Sequence, residues 1–297
     1  MEPDAMNILE ELGIEPSRVG SIETLSERHG YRVWRVTVGG ERRVLKWLPP
    51  DAATREIGGF ELLHRCGVPT LQIYAQSRNA LLLEDLATSS TWRLADSRDV
   101  DSPLVGAAVA DWYRTLHAAG EKLLASFCPA FLRRESDELT PDTMRKAARS
   151  LGLTDAPVWN LAVQHIVLLR AAEAKLSLTL NYQDFHWTNL ALSRVHPVAV
   201  VVFDYDNLGI GMRYSDCRNV EGSLGQTARE AFRRRYGEYD EQEMVIDLPL
   251  ASLCALVVAS RHKSFPKWAE ESRCRALNGE LLRDLERAIA IAQGLME

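Results

Sequence analysis

The chain has few cysteines, and their spacing argues against two common structural devices. Cys66, Cys128, Cys217, Cys254 and Cys274 are odd in number and form no CxxC pair. Scattered cysteines are typical of reduced proteins, and they lack the close pairing of a structural zinc site. We therefore expect neither a disulfide framework nor a zinc site built on these residues.

Long apolar runs and an excess of positive charge are also missing. No apolar run reaches the ~18 residues that a membrane-spanning helix needs, and the start, MEPDAMNILEELGIEP, lacks the basic and apolar segments of a secretory signal. The formal net charge of -6 gives no general footprint for nucleic acid, and we interpret the basic cluster FRRRYG at 232–237 as a solvated helix face. These features predict a cytoplasmic protein with no membrane partner and no nucleic-acid partner.

Strand-like segments fill the first part of the chain. RVGSIETLS, YRVWRVTV and RRVLKWL alternate apolar and polar residues and are separated by turn signals, which predicts three antiparallel strands. PPDAATREIGGFELLHRCGVP then has helical spacing, and TLQIYAQ with ALLLEDL predicts a hairpin. Helical patterns dominate after this, apart from strand-like pieces around 178–206. We therefore predict an α+β fold with a small β-rich lobe over residues 1–86 and a larger, mainly helical lobe over residues 87–297.

Acidic and amide side chains follow two of the later strand-like segments. NYQDFHWTNL contains Asp184, His186 and Asn189, and VAVVVFDYDN ends in Asp204 and Asp206. Turns at the ends of paired strands bring such residues together, and their hard oxygen atoms suit Mg²⁺ better than a softer metal. Magnesium keeps waters and substrate phosphates in its shell, so few protein ligands are expected.

A lysine in the third predicted strand supplies the opposite charge. Lys46 lies between Leu45 and Trp47, and Glu56 follows on the predicted helix. A glutamate on a helix can fix such an ammonium group toward phosphate oxygens. Glu61 is on the same helix, so it is an alternative partner.

These segments together resemble the kinase-like phosphotransferases that include aminoglycoside phosphotransferases and choline or ethanolamine kinases. The stretch YQDFHWTN is similar to the family pattern HGDxHxxN at Asp184, His186 and Asn189, and VFDYDN is similar to its metal-binding stretch at Asp204. RRVLKW, REIGGFELLHRCGVPT and ALLLEDL resemble the lysine strand, the glutamate helix and the hinge. RYSDCRNV resembles a later Asp-containing stretch. The likeness runs from about residue 20 to residue 220 in the family's order.

The resemblance implies a protein-kinase-like two-lobed fold, with a nucleotide-binding N-lobe and a catalytic and acceptor-binding C-lobe. It implies an ATP- and Mg²⁺-dependent phosphotransferase that moves the γ-phosphate to a hydroxyl of a small molecule. Asp184 would be the catalytic residue, and Asn189 with Asp204 would bind the metal. The nucleotide would contact Lys46 positioned by Glu56, the loop at Gly30, and the hinge at Glu84 and Leu86.

Two questions stay open at this level. The family's His-Gly before the catalytic aspartate is Tyr182-Gln183 here, so a non-catalytic, kinase-like nucleotide-binding module is the alternative function. The resemblance implies an acceptor that is an aminoglycoside, an amino alcohol or a sugar-like metabolite, without deciding among them. The acidic stretch GEYDEQEMVID at 237–247 is either part of a pocket for a cationic acceptor or a solvated loop. Trp187, Tyr205 and Trp268 either form a cage for a quaternary amine or serve as packing.

Overall fold

The first part of the chain forms one antiparallel five-stranded sheet in this computed structural model, which describes residues 4–297. The strands lie in the order β1-β2-β3-β5-β4. Helix α2 (Pro50–Arg65) connects β3 to β4, as the predicted order of three strands, a helix and two strands requires. The strands are β1 (Val19–Arg28), β2 (Tyr31–Val38), β3 (Glu41–Trp47), β4 (Ile73–Gln76) and β5 (Ala80–Glu84).

A short helix that the sequence reading missed covers part of this sheet. Helix α1 (Ala5–Glu11) begins after Asp4, whose side chain accepts a hydrogen bond from the Met6 amide. Ile8 and Leu9 of this helix are buried in one apolar cluster with Leu45 of β3. With seven residues, α1 is too short to be marked by periodicity, and its stability depends on this packing.

Two small sheets account for the strand-like segments around residues 178–206. One pairs β7 (Leu178–Asn181) with β10 (Gly209–Met212), and the other has the order β6-β8-β9, with β6 (Trp92–Leu94), β8 (Leu190–Ser193) and β9 (Val200–Val202). The pairing of β8 with β9 joins Leu190 to Val202. The residues on either side of this pair, Asn189 and Phe203, therefore lie side by side.

The remaining elements are helices, most of them amphipathic, with their apolar residues buried. They are α3 (Pro103–Leu124), α4 (Pro141–Ser150), α5 (Pro157–Glu173), α6 (Arg213–Ser223), α7 (Gln226–Tyr236), α8 (Glu241–Ala259), α9 (Glu270–Leu277) and α10 (Glu280–Met296). A small sheet followed by a mainly helical region confirms the predicted α+β, protein-kinase-like fold class.

The chain divides into two compact units that interleave along the sequence. The first contains the residues up to Leu132, Asp184–Leu208 and Asn219–Gly237, and the second contains Arg133–Gln183, Gly209–Arg218 and Glu238–Glu297. Neither unit coincides with a predicted lobe. The boundary between lobes near residue 87 stays a prediction.

Helix α8 has the length and apolar composition of a membrane-spanning helix. Its mean hydropathy is 1.6, although the sequence reading found no apolar run of that length. In the structure, 61% of this segment is buried within the protein. The core helix of a soluble protein has the same length and composition, so the property alone is weak evidence for a membrane span.

Candidate active site

The predicted lysine and glutamate form an ion pair in the first unit. Lys46 is on β3, the central strand of the sheet, and Glu56 is on α2, where 1% of its surface is exposed. The Lys46 ammonium donates to Glu56 Oε1 at 2.6 Å and to Oε2 at 2.7 Å. It also donates to Asp204 Oδ1 at 2.8 Å. Glu61, the alternative partner, instead accepts a hydrogen bond from Gln76.

Burial and charge act in opposite directions on this pair. Burial disfavours the Lys46 ammonium, but Glu56 and Asp204 outweigh this effect and hold the pKa of Lys46 above its ordinary value. Burial raises the pKa of Glu56 to about 7, against the opposing effect of the Lys46 charge. The arrangement fixes a positive charge beside Asp204, where it can meet an anionic ligand.

Asp204 has an unusual backbone conformation that sets the direction of its side chain. Its φ is 73°, in the left-handed region that non-glycine residues rarely occupy, and it is the second residue after β9. Such a conformation is kept where the surrounding structure requires it, and it is frequent at functional sites. The Phe203 amide donates to the Asn189 carbonyl at 3.1 Å, so Asn189 and Asp204 project from the same end of two paired strands.

This pair of side chains fits a magnesium ion by its donor chemistry. Asn189 offers an amide oxygen and Asp204 a carboxylate, which are the hard ligands that Mg²⁺ prefers. Within residues 4–297, no three His, Cys, Asp or Glu side chains are grouped to hold a metal by themselves. Two protein ligands are enough for Mg²⁺, because this ion usually keeps waters and substrate phosphates in its coordination shell.

Asp184 is on the loop before β8, and its side chain is exposed to solvent. Asn207 donates from its side-chain amide to Asp184 Oδ2 at 3.2 Å. Partial desolvation raises the pKa of Asp184, the Asn207 hydrogen bond opposes this, and the charges of Asp204 and Asp206 raise it further. Asp184 is therefore a stronger proton acceptor than an ordinary aspartate, and it is held by a side chain that the sequence reading did not single out.

Both carboxylate oxygens of Asp206 contact other side chains of the protein. The Tyr31 hydroxyl donates to Asp206 Oδ2 at 2.6 Å, and Arg55 donates to Oδ1 at 2.8 Å and to the Asp206 carbonyl at 3.0 Å. Tyr31 follows Gly30 at the turn between β1 and β2, and Arg55 is next to Glu56 on α2. These contacts tie the loop after β9 to both the β1–β2 turn and the glutamate helix.

The residues predicted to contact the nucleotide lie at turns and at a strand end. Gly30 has a φ of 84°, which suits the turn between β1 and β2. Glu84 ends β5, and its amide donates to the Gln72 carbonyl at 3.1 Å. Leu86 follows in the connection after β5, where its carbonyl accepts from Arg194 at 3.4 Å. The contacts of Gly30, Glu84 and Leu86 with a nucleotide stay predictions.

In the second unit, Asp216 holds the backbone of Tyr182 and Gln183, the two residues at the family's His-Gly position. Its carboxylate accepts hydrogen bonds from the amides of Tyr182 and Gln183, both at 2.9 Å. Gln183 has a φ of 66°, the region that glycine adopts most easily. The backbone at the family's glycine position therefore keeps a glycine-like conformation, held by two hydrogen bonds to a buried aspartate.

His186, His117 and Tyr205 each contact other groups of the protein. His186 Nδ1 lies 2.7 Å from the Thr188 hydroxyl and caps the short turn that ends at Asn189. His117 is buried and hydrogen-bonded to the Tyr236 hydroxyl, which agrees with a core role. Tyr205 is fully buried against Phe60 and donates to the Val202 carbonyl, so packing rather than an amine cage explains it.

Three partners of the predicted residues were not predicted from the sequence. Tyr31, Arg55 and Asn207 are ordinary surface-type residues in sequence, and nothing in their spacing marks them. Asp216 was noted, but its backbone partners could not be deduced, because a hydrogen bond to a distant amide leaves no local pattern.

A strand lysine paired with a helix glutamate, as Lys46 is with Glu56, is a feature of protein kinases. Residues 21–249 match the phosphotransferase enzyme family, so the chain belongs to that family and is a small-molecule kinase. A search of curated proteins found no match.

Solved structures of similar fold cover nearly the whole chain. A choline kinase from Streptococcus pneumoniae is 14% identical with a TM-score of 0.63, over 94% of this chain and 98% of that one. An ethanolamine kinase from Plasmodium vivax is 14% identical with a TM-score of 0.61, over 96% and 85% of the two chains. An ADP-bound aminoglycoside phosphotransferase is 14% identical with a TM-score of 0.55, over 98% and 99%. At these identities the similarity shows the fold alone.

Proposed function

We propose that the protein transfers the γ-phosphoryl group of ATP to a hydroxyl of a small molecule. The observation that carries this proposal is the position of the Lys46 ammonium, which bridges Glu56 and Asp204 within the first unit. The solved aminoglycoside phosphotransferase with bound ADP supports the use of an adenine nucleotide. Family membership supports the small-molecule acceptor.

Lys46 and Asp184 have separate tasks in this reaction. Lys46, held by Glu56, binds phosphate oxygens of the nucleotide by charge-assisted hydrogen bonds. Asp184 orients the acceptor hydroxyl and takes its proton as the acceptor oxygen bonds to the γ-phosphorus. The bond between the γ-phosphorus and the bridging oxygen breaks, and ADP leaves. Positioning and electrostatics supply most of the acceleration in reactions of this kind.

Asn189 and Asp204 would hold the magnesium ion in this scheme. The ion would neutralise the charge of the phosphate oxygens. Asp204 would then share its carboxylate between this role and the Lys46 ammonium, which lies 2.8 Å from Oδ1.

A panel of acceptors tests the proposal. The protein is incubated with ATP, with and without Mg²⁺, and with amino alcohols, aminoglycosides and sugars, and each acceptor is examined by mass spectrometry. The expected result is a mass shift of one phosphoryl group on at least one acceptor, abolished in Asp184→Asn. Binding of ATP without transfer to any acceptor would support the alternative of a non-catalytic module.

A further inference from the structure

The side chain of Asp206 has no part in the proposed reaction, yet its neighbours on both sides do. Asp204, two positions before it, accepts from Lys46, and Asn207, directly after it, donates to Asp184. All of these residues belong to the first unit. A group that holds Asp206 therefore also restrains the side chains at the reacting centre.

Tyr31 begins β2 directly after a tight turn. His29 and Gly30 are the two residues of this turn, between the paired residues Arg28 and Tyr31, and their φ angles are 51° and 84°. Two-residue turns with positive φ at both positions join antiparallel strands closely. The turn therefore fixes where Tyr31 starts its strand.

The sheet register places the Tyr31 side chain on the same face as Lys46. Val33 of β2 pairs with Lys46 of β3, and the side chains of paired residues project from the same face of a sheet. Tyr31 lies two residues before Val33 and so shares this face. The Lys46 ammonium lies 6.0 Å from the centre of the Tyr31 ring. The tyrosine therefore stands beside the group that would bind phosphate oxygens.

The Lys46 ammonium has already committed its hydrogen-bond donors. Its three N–H groups are matched by three acceptors, Glu56 Oε1, Glu56 Oε2 and Asp204 Oδ1, all within 2.8 Å. Only 13% of the Lys46 side chain is exposed, against 44% of the Asp204 side chain. A phosphate oxygen must therefore displace the Asp204 carboxylate, and the β1–β2 turn must make room beside the ammonium.

The side chains bound to Asp206 resist this rearrangement. The Tyr31 hydroxyl donates to Asp206 Oδ2 at 2.6 Å, and Arg55 donates to Oδ1 at 2.8 Å. Hydrogen bonds to a carboxylate are shorter and stronger than those between neutral groups. Burial and the contact with Asp206 raise the pKa of Tyr31, so its hydroxyl keeps its proton and stays a donor. The bond between Tyr31 and Asp206 thus joins the turn to the segment that must move.

We propose that Tyr31 is a positioning residue of the nucleotide site, whose hydrogen bond to Asp206 keeps the β1–β2 turn closed beside Lys46 and limits the rate at which a nucleotide enters and leaves. The proposal rests on the proposed function, in that the nucleotide is taken to bind at Lys46. The bond breaks each time the turn opens and forms again when the turn closes, with or without a bound nucleotide. Tyr31 therefore changes the rates of binding and release together and leaves the affinity nearly unchanged.

Hydrogen exchange of the nucleotide-free protein tests the closed turn by itself. Tyr31→Phe keeps the ring beside Lys46 and removes only the hydroxyl. We expect the amides of residues 28–32 to exchange about tenfold faster in this variant, because one hydrogen bond to a charged group is lost. Equal exchange at the turn in the wild type and in Tyr31→Phe would overturn the proposal.

Tyr74→Phe is the matched control for this substitution. Tyr74 lies on β4 of the same sheet, and the centre of its ring is 3.7 Å from the Arg43 guanidinium carbon. That contact uses the ring, which phenylalanine retains. Exchange at the β1–β2 turn should therefore be the same in Tyr74→Phe as in the wild type, and a similar increase in both variants would contradict a specific role of Tyr31.

The rates of nucleotide exchange give the second test. The probe is the fluorescent analogue N-methylanthraniloyl-ADP with Mg²⁺, mixed with the intact chain in a stopped-flow instrument. In Tyr31→Phe the association and dissociation rate constants should both rise about tenfold, with less than about a threefold change in the dissociation constant. A change in only one rate constant, or in neither, would refute the role of Tyr31.

A double-mutant cycle tests whether Asp206 is the partner through which Tyr31 acts. Asp206→Ala removes the acceptor, so it should also speed the release of the analogue. Adding Tyr31→Phe to Asp206→Ala should then cause no further increase, because the bond is already lost. Additive effects would show that Tyr31 acts through another contact.

The two proposals fail in distinguishable ways. Nucleotide binding with the expected change in rates, but without transfer to any hydroxyl acceptor, would refute the proposed function alone. Phosphoryl transfer with unchanged exchange rates in Tyr31→Phe would refute the role of Tyr31 alone. A wild-type protein that does not bind the nucleotide analogue would refute both.

Discussion

The Lys46 ammonium lies 2.8 Å from the Asp204 carboxylate, although 158 positions separate the two residues in the chain. Glu56 holds the same ammonium from the other side, so Lys46 stands between a buried carboxylate and a more exposed one. A triphosphate would compete with Asp204 for this ammonium, whereas Glu56 would keep it in place. Different mutants of this cluster should therefore have different effects.

Asp184 is the group expected to accept the proton from the acceptor. Asp184→Asn keeps the size and the ability to contact Asn207 but removes the base. We expect kcat to fall by about 10²–10⁴-fold, with the dissociation constant of ATP nearly unchanged, as measured by steady-state kinetics and calorimetry. A variant that turns over a verified acceptor at the wild-type rate would rule out this role.

Glu56 and Glu61 form a matched pair on α2. Glu56→Gln should weaken the hold on Lys46 and raise the KM for ATP by about tenfold, equal to about 1.4 kcal/mol of lost binding. Glu61→Gln should leave KM unchanged, because Glu61 contacts Gln76 at the surface. If both variants changed KM equally, the assignment of Glu56 as the partner that positions Lys46 would be wrong.

Asp204 and Asp206 are two residues apart but should respond differently to magnesium. Asp204→Asn should lose the magnesium dependence of nucleotide binding, because one of two metal ligands is weakened. Asp206→Asn should keep that dependence, because its carboxylate is used by Tyr31 and Arg55. Calorimetric titrations of ATP with Mg²⁺ and with EDTA compare the two variants. A loss of magnesium dependence in Asp206→Asn would identify it as a metal ligand after all.

Two helix glycines should respond in opposite directions to the same substitution. A Cβ atom at Gly106 of α3 would lie 2.0 Å from the Ala228 carbonyl oxygen of α7, so Gly106→Ala must push two helix backbones apart. We expect a loss of about 1–3 kcal/mol in the free energy of unfolding. Gly222 of α6 is exposed with open space around it, so Gly222→Ala should gain about 1 kcal/mol. Denaturant unfolding measures both, and a neutral Gly106→Ala would contradict the close helix approach.

The elements of the small sheet could be read from the sequence because their signals are local. Alternation of apolar and polar residues predicts β1 to β3, and helical spacing predicts α2. The structure contains these elements in the predicted order. Helix α1 was not predicted, because a segment of seven residues is too short to have a recognisable apolar periodicity. The lysine and glutamate of the predicted pair were found because a lysine within an apolar strand is unusual and a helix follows it directly.

The partners of the site residues could not be read in the same way. Asp206 has the same sequence context as Asp204, but Tyr31 and Arg55 occupy its oxygen atoms. The sequence left two interpretations of the acidic stretch at 237–247, part of a pocket or a solvated loop. Asp247 is buried and accepts a hydrogen bond from Arg218, whereas Glu241 of the same stretch is exposed. Neighbours contributed by distant segments decide these outcomes.

By itself, the sequence determined the order of strands and helices, the family, and the residue types that carry the chemistry, because each depends on spacing along a few turns of chain. The tertiary structure alone decided which oxygen atoms are already used and by which partners. Lys46 meets Asp204, Tyr31 meets Asp206, and Asn207 meets Asp184. Hydrogen bonding and desolvation act over a few ångströms in space, without regard to separation along the chain.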